Sequence, residues 1–237
     1  MDRFEFDASP SVAVAASAAY AILVYCLQDA VRKPVKLRWI TFAHDVFLWL
    51  ASAWLLGAIA HGLIAVAIEF GFEALWCDSE RVLPHRGWLQ FWYYVFYLSK
   101  FYEYGDTLLL ILAKKRVIFL HAWHHCSTVF VVWFSVTGRV PVAWVAICAN
   151  LLVHMAMYYY YALSVLGIRS AWKRYITLIQ IVQFIVDIGS VAAVLVHDAV
   201  SEAQCSGDPA GYWIPTLIVA SFLVLFLDFY RGAYKSE

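Results

Sequence analysis

The sequence predicts an all-α integral membrane protein with seven transmembrane helices, because of its composition and its long apolar segments. Of its 237 residues, 64% are hydrophobic and only 14% are charged. Soluble proteins average roughly 45–50% apolar and about 25% charged residues, so a soluble fold could not bury this much apolar surface. Since no internal repeat or long linker is visible, we expect a single domain over residues 1–237. The net charge of zero argues against a nucleic-acid partner.

Each predicted helix is a stretch long enough to cross the hydrocarbon core of a bilayer, which takes about 20 mostly apolar residues. In chain order these stretches are residues 11–28, 40–70, 89–113, 117–137, 141–166, 174–196 and 212–230. The second stretch is long enough to tilt or to project beyond the bilayer, and the first is the shortest.

The basic residues orient these helices, because cytosolic loops carry an excess of Lys and Arg. They concentrate in the first, third and fifth connections and in the C-terminal tail, whereas the other connections collect acids. The basic set is Arg32, Lys33, Lys36, Arg38, Lys114, Lys115, Arg116, Arg169, Lys173, Arg174, Arg231 and Lys235. The predicted topology therefore has a non-cytosolic N-terminus and a cytosolic C-terminus.

Two of the five cysteines, Cys77 and Cys205, fall in non-cytosolic connections. If that side is an oxidising lumen, a disulfide between them is expected. The other three lie within predicted spans, where cysteine usually packs as a small apolar residue.

Polar side chains recur at helical spacing in four of the predicted spans, where ionisable groups are costly and point to function. Within 89–113 and 117–137 they are Lys100, Glu103, Asp106, Thr107, His121, His124 and His125. Within 141–166 and 174–196 they are Asn150, His154, Met157, Tyr158, Tyr160, Tyr161, Thr177, Gln180 and Gln183. Asp106 and His124 each lie roughly 12 Å from the basic cluster, and Gln180 lies roughly 9 Å from Arg174, at about 1.5 Å per residue. The similar depths predict one enclosed polar site that opens toward the cytosol.

Several functions compete for this site. Buried histidines are often only packing residues. The spacing HxxHH also occurs in membrane di-iron oxidases, but these need around eight histidine ligands, and too few cluster here. A mononuclear metal site from His121, His125 and His154 stays open. A transporter or photoreceptor is less favoured, because no paired broken helices are visible and 212–230 has no lysine for a retinal Schiff base.

Covalent catalysis explains more of the pattern. Neutral imidazole can accept an acyl group, and neighbouring polar side chains can orient it. A basic cytosolic rim would attract the phosphates of a carrier, and an apolar interior would suit a hydrocarbon tail. This order of charge, reactive group and apolar surface matches a fatty acyl-CoA.

The polar residues also form four motifs in the order KxxExxDT, HxxHH, NxxxHxxMYxYY and TxxQxxQ, over about residues 100–183. In these motifs the chain resembles the ELO family of very-long-chain fatty acid elongases. The resemblance implies six helices ringed around an acyl-CoA tunnel, with one helix packed outside, in the membrane of the endoplasmic reticulum. It implies the reaction of acyl-CoA with malonyl-CoA to give 3-ketoacyl-CoA, carbon dioxide and CoA.

The implied partners are the lipid bilayer and the ketoacyl-CoA reductase, dehydratase and enoyl reductase that complete each cycle, and a homodimer is left open. We expect no permanently bound cofactor or metal.

We expect His124 to take the acyl group, with Cys126 as the alternative nucleophile, and His154 to position it or transfer protons. His121 and His125 are expected to orient the box or act as acid and base, Glu103 and Asp106 to hold imidazole tautomers, and Asn150, Gln180 and Gln183 to stabilise developing charge. The expected substrate-binding residues are Lys100, Thr107, Met157, Tyr158, Tyr160, Tyr161, Thr177, Gln180 and Gln183, with Lys114, Lys115, Arg116, Arg169, Lys173 and Arg174 at the CoA phosphates.

Overall fold

The computed structural model describes residues 8–168, 172–201 and 203–234, and within them it contains helices and no strand. The helices are α1 (Pro10–Ala30), α2 (Arg38–Phe70), α3 (Glu73–Trp76), α4 (Gly87–Tyr102), α5 (Tyr104–Leu112), α6 (Phe119–Thr137), α7 (Ala143–Val165), α8 (Lys173–Ser201) and α9 (Pro209–Tyr234), with a 3-10 turn at Leu83–His85.

Among the described residues, five helices are long and apolar enough to cross a membrane: α1, α2, α7, α8 and α9. The predicted span 117–137 is the 19-residue α6, whose three histidines lower its mean hydropathy. The predicted span 89–113 is divided into α4 and α5. The all-helical fold with several apolar helices is thus confirmed, while the count of seven crossings stays a prediction.

The division falls at Glu103, between the two halves of the first motif. The amide of Asp106 donates to the carbonyl of Glu103, three residues back, at 3.1 Å. Side chains three residues apart align in such a tight turn. The turn therefore helps to bring the polar side chains of this motif onto one side of the chain.

Six of the helices pack against one another in a closed ring. α2 packs against α7, α7 against α8, α8 against α9, α9 against α6, α6 against α4, and α4 against α2. α1 lies outside this ring, against α5 and α6. The arrangement places the polar faces of α6, α7 and α8 toward a shared interior.

One end of the molecule, here called the disulfide end, is held by covalent and backbone bonds. Cys77 and Cys205, the pair expected from the sequence, are joined in a disulfide. The amide of Ser206 donates to the carbonyl of Cys77 at 2.8 Å, and that of Asp208 to the carbonyl of Gly138 at 2.9 Å. These bonds tie the connections before α4 and α9 to the end of α6.

The disulfide end also holds a buried carboxyl group, Asp78, which accepts hydrogen bonds from the amides of Val82 and Leu83. Burial raises the pKa of Asp78 to about 6, although these amide bonds act in the opposite direction. The carboxyl therefore closes the turn that leads from the disulfide into α4.

Candidate active site

The histidine box lies on α6, and because of the helical spacing its three side chains point in two different directions. His121 and His125 are one turn apart, with ring centroids 4.3 Å from each other. The ring of His124 lies 5.5 Å from that of His125 and 4.8 Å from the ring of Phe222 on α9. His124 thus approaches the α9 side of the interior, next to aromatic side chains.

A cavity of about 200 Å³, here called the histidine cavity, gathers most of the residues expected at the site. From α6 and α7 it is lined by His121, His124, His125, Asn150, His154, Met157, Tyr158, Tyr160 and Tyr161. From α8 it is lined by Lys173, Thr177, Gln180 and Gln183, and apolar side chains from these helices and α9 complete it. The polar side chains that recur at helical spacing in α6, α7 and α8 therefore face the same cavity.

Two smaller cavities follow, toward the disulfide end. The middle cavity, of about 50 Å³, shares His124, Asn150 and Gln183 with the histidine cavity. The end cavity, of about 30 Å³, shares Ser135 and Asp187 with the middle cavity. The three cavities thus form a series within the ring, polar where the histidines lie and mostly apolar beyond.

A buried network connects α4, α7 and the turn at Glu103. Lys100 Nζ donates to Glu103 Oε1 at 2.8 Å and to Asn150 Oδ1 at 2.9 Å. Because its oxygen faces Lys100, Asn150 directs its amide nitrogen to His154 Nε2, at 3.3 Å. His154 Nδ1 then lies 3.6 Å from Glu103 Oε1. The network assigns the proton of neutral His154 to Nδ1, facing the carboxylate.

Asp106 holds an imidazole that lies outside the histidine box. Its carboxylate accepts hydrogen bonds from His44 Nε2 at 2.8 Å and from the hydroxyl of Tyr158 at 2.7 Å, rather than from a histidine of the box. Gly105 leaves room for His44, since a Cβ there would lie 3.1 Å from the imidazole. His44 is outside the four motifs, but its depth in the membrane is similar to that of the motif residues. It lies six residues past Arg38, about 9 Å along α2.

Thr107 lies behind the cavity wall and links the box to α1. Its hydroxyl is 2.9 Å from His121 Nε2 and 2.9 Å from the hydroxyl of Tyr20. The ring of Tyr20 stacks on that of Tyr104, with centroids 4.4 Å apart. Thr107 and Tyr20 thus fix the position of His121, and no sequence pattern linked Tyr20 to the site.

The remaining candidates are distributed between the wall and the surface. Lys100 lines the middle cavity, while Glu103, Asp106 and Thr107 do not line the three cavities and contact residues that do. Arg174 donates to the hydroxyl of Tyr230 at 2.7 Å. Of the residues expected at the CoA phosphates, those that are exposed and outside the lining are Lys114, Lys115, Arg116 and Arg174. Arg169 lies outside the described residues.

The donor atoms at the box are not arranged as a metal cage. Within the described part of the chain, the group of three ligand atoms that lie together is Cys77, His197 and Cys205, and its two sulfurs are already bonded to each other. Of the box histidines, His121 instead contacts the hydroxyl of Thr107, and His124 contacts the ring of Phe222. Such an arrangement orients imidazoles for nucleophilic or acid–base chemistry.

Fold and site together define a multi-pass membrane protein with a histidine-lined cavity in its core. The sequence matches the GNS1/SUR4 (ELO) family over residues 5–237. The chain belongs to this family, which its four motifs indicated.

The sequence is also similar to those of curated relatives over most of their length. Fatty acid elongase A of Dictyostelium discoideum is 37% identical over 94% of this chain and 83% of its own. Putative fatty acid elongase 2 of Schizosaccharomyces pombe is 35% identical over 100% of this chain and 67% of its own. Very long chain fatty acid elongase 6 of Homo sapiens is 32% identical over 92% of this chain and 82% of its own.

Proposed function

We propose that this protein elongates fatty acids as the condensing enzyme, joining a fatty acyl-CoA to malonyl-CoA to give 3-ketoacyl-CoA, carbon dioxide and CoA. Its membership of the ELO family and the names of its relatives support elongation. The series of cavities supports an acyl substrate, because a polar chamber with imidazoles leads into narrower apolar chambers. In this proposal seven helices cross the membrane and the three cavities form one tunnel for the acyl tail.

His124 is the acyl acceptor in this proposal. We choose it over the other box histidines because it lines both the histidine cavity and the middle cavity. A reactive carbon between polar head and apolar tail would lie at this junction. His121 already has its Nε2 at Thr107, and the ring of His125 lies against that of His121 and does not line the middle cavity. Cys126 does not line these cavities and contacts the backbone of Ser17.

In the first stage His124 attacks the thioester carbon, and the CoA sulfur leaves. The acyl-imidazolium that forms loses its one N–H proton to a base, and the departing thiolate takes up a proton, which leaves an acyl-imidazole and free CoA. His154 is the base: protonation at Nε2 would displace only the 3.3 Å contact with Asn150, and Glu103 beside Nδ1 would stabilise the cation. This pair repeats the carboxylate–imidazole arrangement of hydrolytic triads.

In the second stage malonyl-CoA loses carbon dioxide, and the electrons of the broken bond form an enolate. The enolate attacks the acyl carbon, the bond to His124 breaks, and the imidazole regains a proton that comes ultimately from solvent. Amide groups of Asn150, Gln180 and Gln183 face the cavity and would stabilise the enolate and the oxyanion. The chemistry needs no resident cofactor or metal.

The surroundings of the enzyme follow from the same proposal. The basic loops face the cytosol, with the N-terminus in the lumen of the endoplasmic reticulum and the C-terminus in the cytosol. Lys173, at the wall of the histidine cavity, and the basic residues outside it bind CoA phosphates. The product passes to the reductases and the dehydratase of the elongation cycle in the same membrane.

The decisive experiment is intact-mass analysis of the purified full-length protein incubated with an acyl-CoA but no malonyl-CoA. We expect the mass of one acyl group to be added, with the adduct on the peptide that contains His124. Adding malonyl-CoA should remove the adduct and release 3-ketoacyl-CoA. A stoichiometric metal with no acyl adduct would instead indicate a histidine-box oxidase and would overturn the proposal.

A further inference from the structure

The series of cavities contains a carboxyl group that the proposed reaction does not use, that of Asp187 on α8. Asp187 is 7% exposed and lines both the middle and the end cavity. It lies one helical turn, about 6 Å, beyond Gln183, which lines the histidine and middle cavities. The carboxyl is thus placed along the path proposed for the acyl tail and away from the reacting carbon.

Only one oxygen of this carboxyl has a partner among the described residues. Oδ2 accepts a hydrogen bond from Gln183 Nε2 at 3.3 Å, whereas Oδ1 is buried and receives none from them. Buried polar atoms are almost always hydrogen-bonded, and each exception needs an explanation. An unpaired acceptor in the wall of a cavity is explained by a ligand that brings a donor.

Two hydroxyl groups that line the end cavity, those of Ser190 and Thr216, do not supply that donor. Ser190 Oγ donates to the backbone carbonyl of Asp187 at 2.8 Å, and Thr216 Oγ1 donates to the carbonyl of Tyr212 at 2.7 Å. Both belong to the lining of the end cavity, yet their hydrogens are directed to the backbone of their own helices. Asp187 Oδ1 thus stays a buried acceptor that receives no hydrogen bond from the described residues.

We propose that the middle and end cavities bind an acyl tail that carries a hydroxyl group, and that Asp187 accepts the hydrogen bond of that hydroxyl. This inference rests on the proposed function, since it assumes that the tail of an acyl-CoA occupies these cavities. A plain hydrocarbon tail would leave Oδ1 buried without a partner, which is unfavourable. A hydroxyl at the right position satisfies it, so the enzyme prefers hydroxyacyl-CoA substrates with the hydroxyl well beyond the thioester.

The test is a positional scan with the purified full-length protein in lipid nanodiscs. Acyl-CoAs of one chain length, with a hydroxyl at successive carbons, are compared with the unsubstituted acyl-CoA by kcat/KM for condensation. We expect kcat/KM to be higher by about tenfold at one position or two adjacent positions, as for a hydrogen bond to a buried carboxyl. Equal or lower values at every position would overturn the inference.

Variants assign the preference to this residue. Asp187→Leu should remove the maximum in the scan, and Asp187→Asn, which keeps an acceptor oxygen, should retain most of it. Val186→Leu is the matched control, because Val186 is 45% exposed on the outer face of α8, and it should leave the scan unchanged. A maximum that persists in Asp187→Leu, or in Asp187→Val if the leucine variant does not fold, would exclude this residue.

The two proposals fail separately. If unsubstituted acyl-CoA is neither condensed nor attached to His124, the proposed function itself is wrong. If it is condensed at a rate equal to that of every hydroxyacyl-CoA, only the hydroxyl site is wrong, and water in the cavities then satisfies Asp187.

Discussion

The disulfide end and the opposite end, here called the basic end, are held together by different kinds of bond. At the disulfide end the contacts are a covalent bond, backbone hydrogen bonds and a close approach of Gly138 to Gly211. At the basic end the amide of Val35 donates to the carbonyl of Leu112, the last residue of α5, at 2.9 Å, and side-chain bonds link the connection 113–118 to Gln28 of α1. One of these runs from Lys114 Nζ to the carbonyl of Gln28 at 3.4 Å and is exposed to solvent.

The two ends are suited to different roles, one to substrate exchange and the other to holding the helices together. Exposed hydrogen bonds of long side chains break and re-form easily, whereas backbone and covalent links resist local opening. Substrates with a large charged carrier need an opening that can widen. We therefore expect substrate exchange to occur at the basic end, next to the histidine cavity, and the disulfide end to keep the helices in register.

The largest effect should come from the histidine at the junction of the cavities. His124→Ala removes the proposed acyl acceptor and should lower kcat at least about a thousandfold, as loss of a nucleophile does, and abolish the acyl adduct. Condensation assays and intact mass measure both. The control is His197→Ala, an exposed histidine near the disulfide end, which should keep full activity. An adduct that survives in His124→Ala would move the nucleophile to another residue.

The disulfide should affect stability rather than chemistry. The double substitution Cys77→Ser and Cys205→Ser opens a loop with a sequence separation of 128 residues, which the chain-entropy account values at about 4–5 kcal/mol. Thermal unfolding should shift to clearly lower temperature, while the activity per folded molecule stays within about twofold. Cys26→Ser, at an exposed free thiol, serves as control. A loss of kcat equal to that of His124→Ala would contradict the division between the ends.

Gly211→Ala tests the close helix approach at the same end. A Cβ at this position would lie 2.8 Å from the Cα of Gly138, and neither backbone can yield without separating α6 from α9. We expect a destabilisation of about 1–3 kcal/mol, typical of overpacking. Gly189→Ala, where a Cβ meets nothing within 4 Å, should be neutral or slightly stabilising. Equal stabilities of the two variants in thermal unfolding would show that the approach is loose.

Periodicity within single helices predicted much of the site. His121, Asn150, Gln180 and their neighbours line one cavity because residues three and four apart share a helix face, and this geometry is local to each segment. Distances from the basic clusters then predicted that these faces lie at similar depth.

Partners between distant helices could not be obtained in this way. His44 reaches Asp106 from 62 positions away, and Tyr20 reaches Thr107 from 87 positions away. Such pairs depend on which helices become neighbours and how they rotate, and a hydrophobic pattern in one chain specifies neither. The division of the third predicted span at Glu103 was also missed, because its apolar residues continue through the turn.

The smallest effect should come from Lys173, the exposed basic residue that also lines the histidine cavity. Its ammonium would attract CoA phosphates in high dielectric, so Lys173→Ala should raise KM for acyl-CoA about threefold at low salt and leave kcat unchanged. The difference should shrink as salt rises, because screening weakens exposed charge interactions. Lys33→Ala, at an exposed position of the same end but outside the cavity lining, should change KM less. If both substitutions raise KM equally, the basic end acts through its overall charge and not through a residue at the cavity.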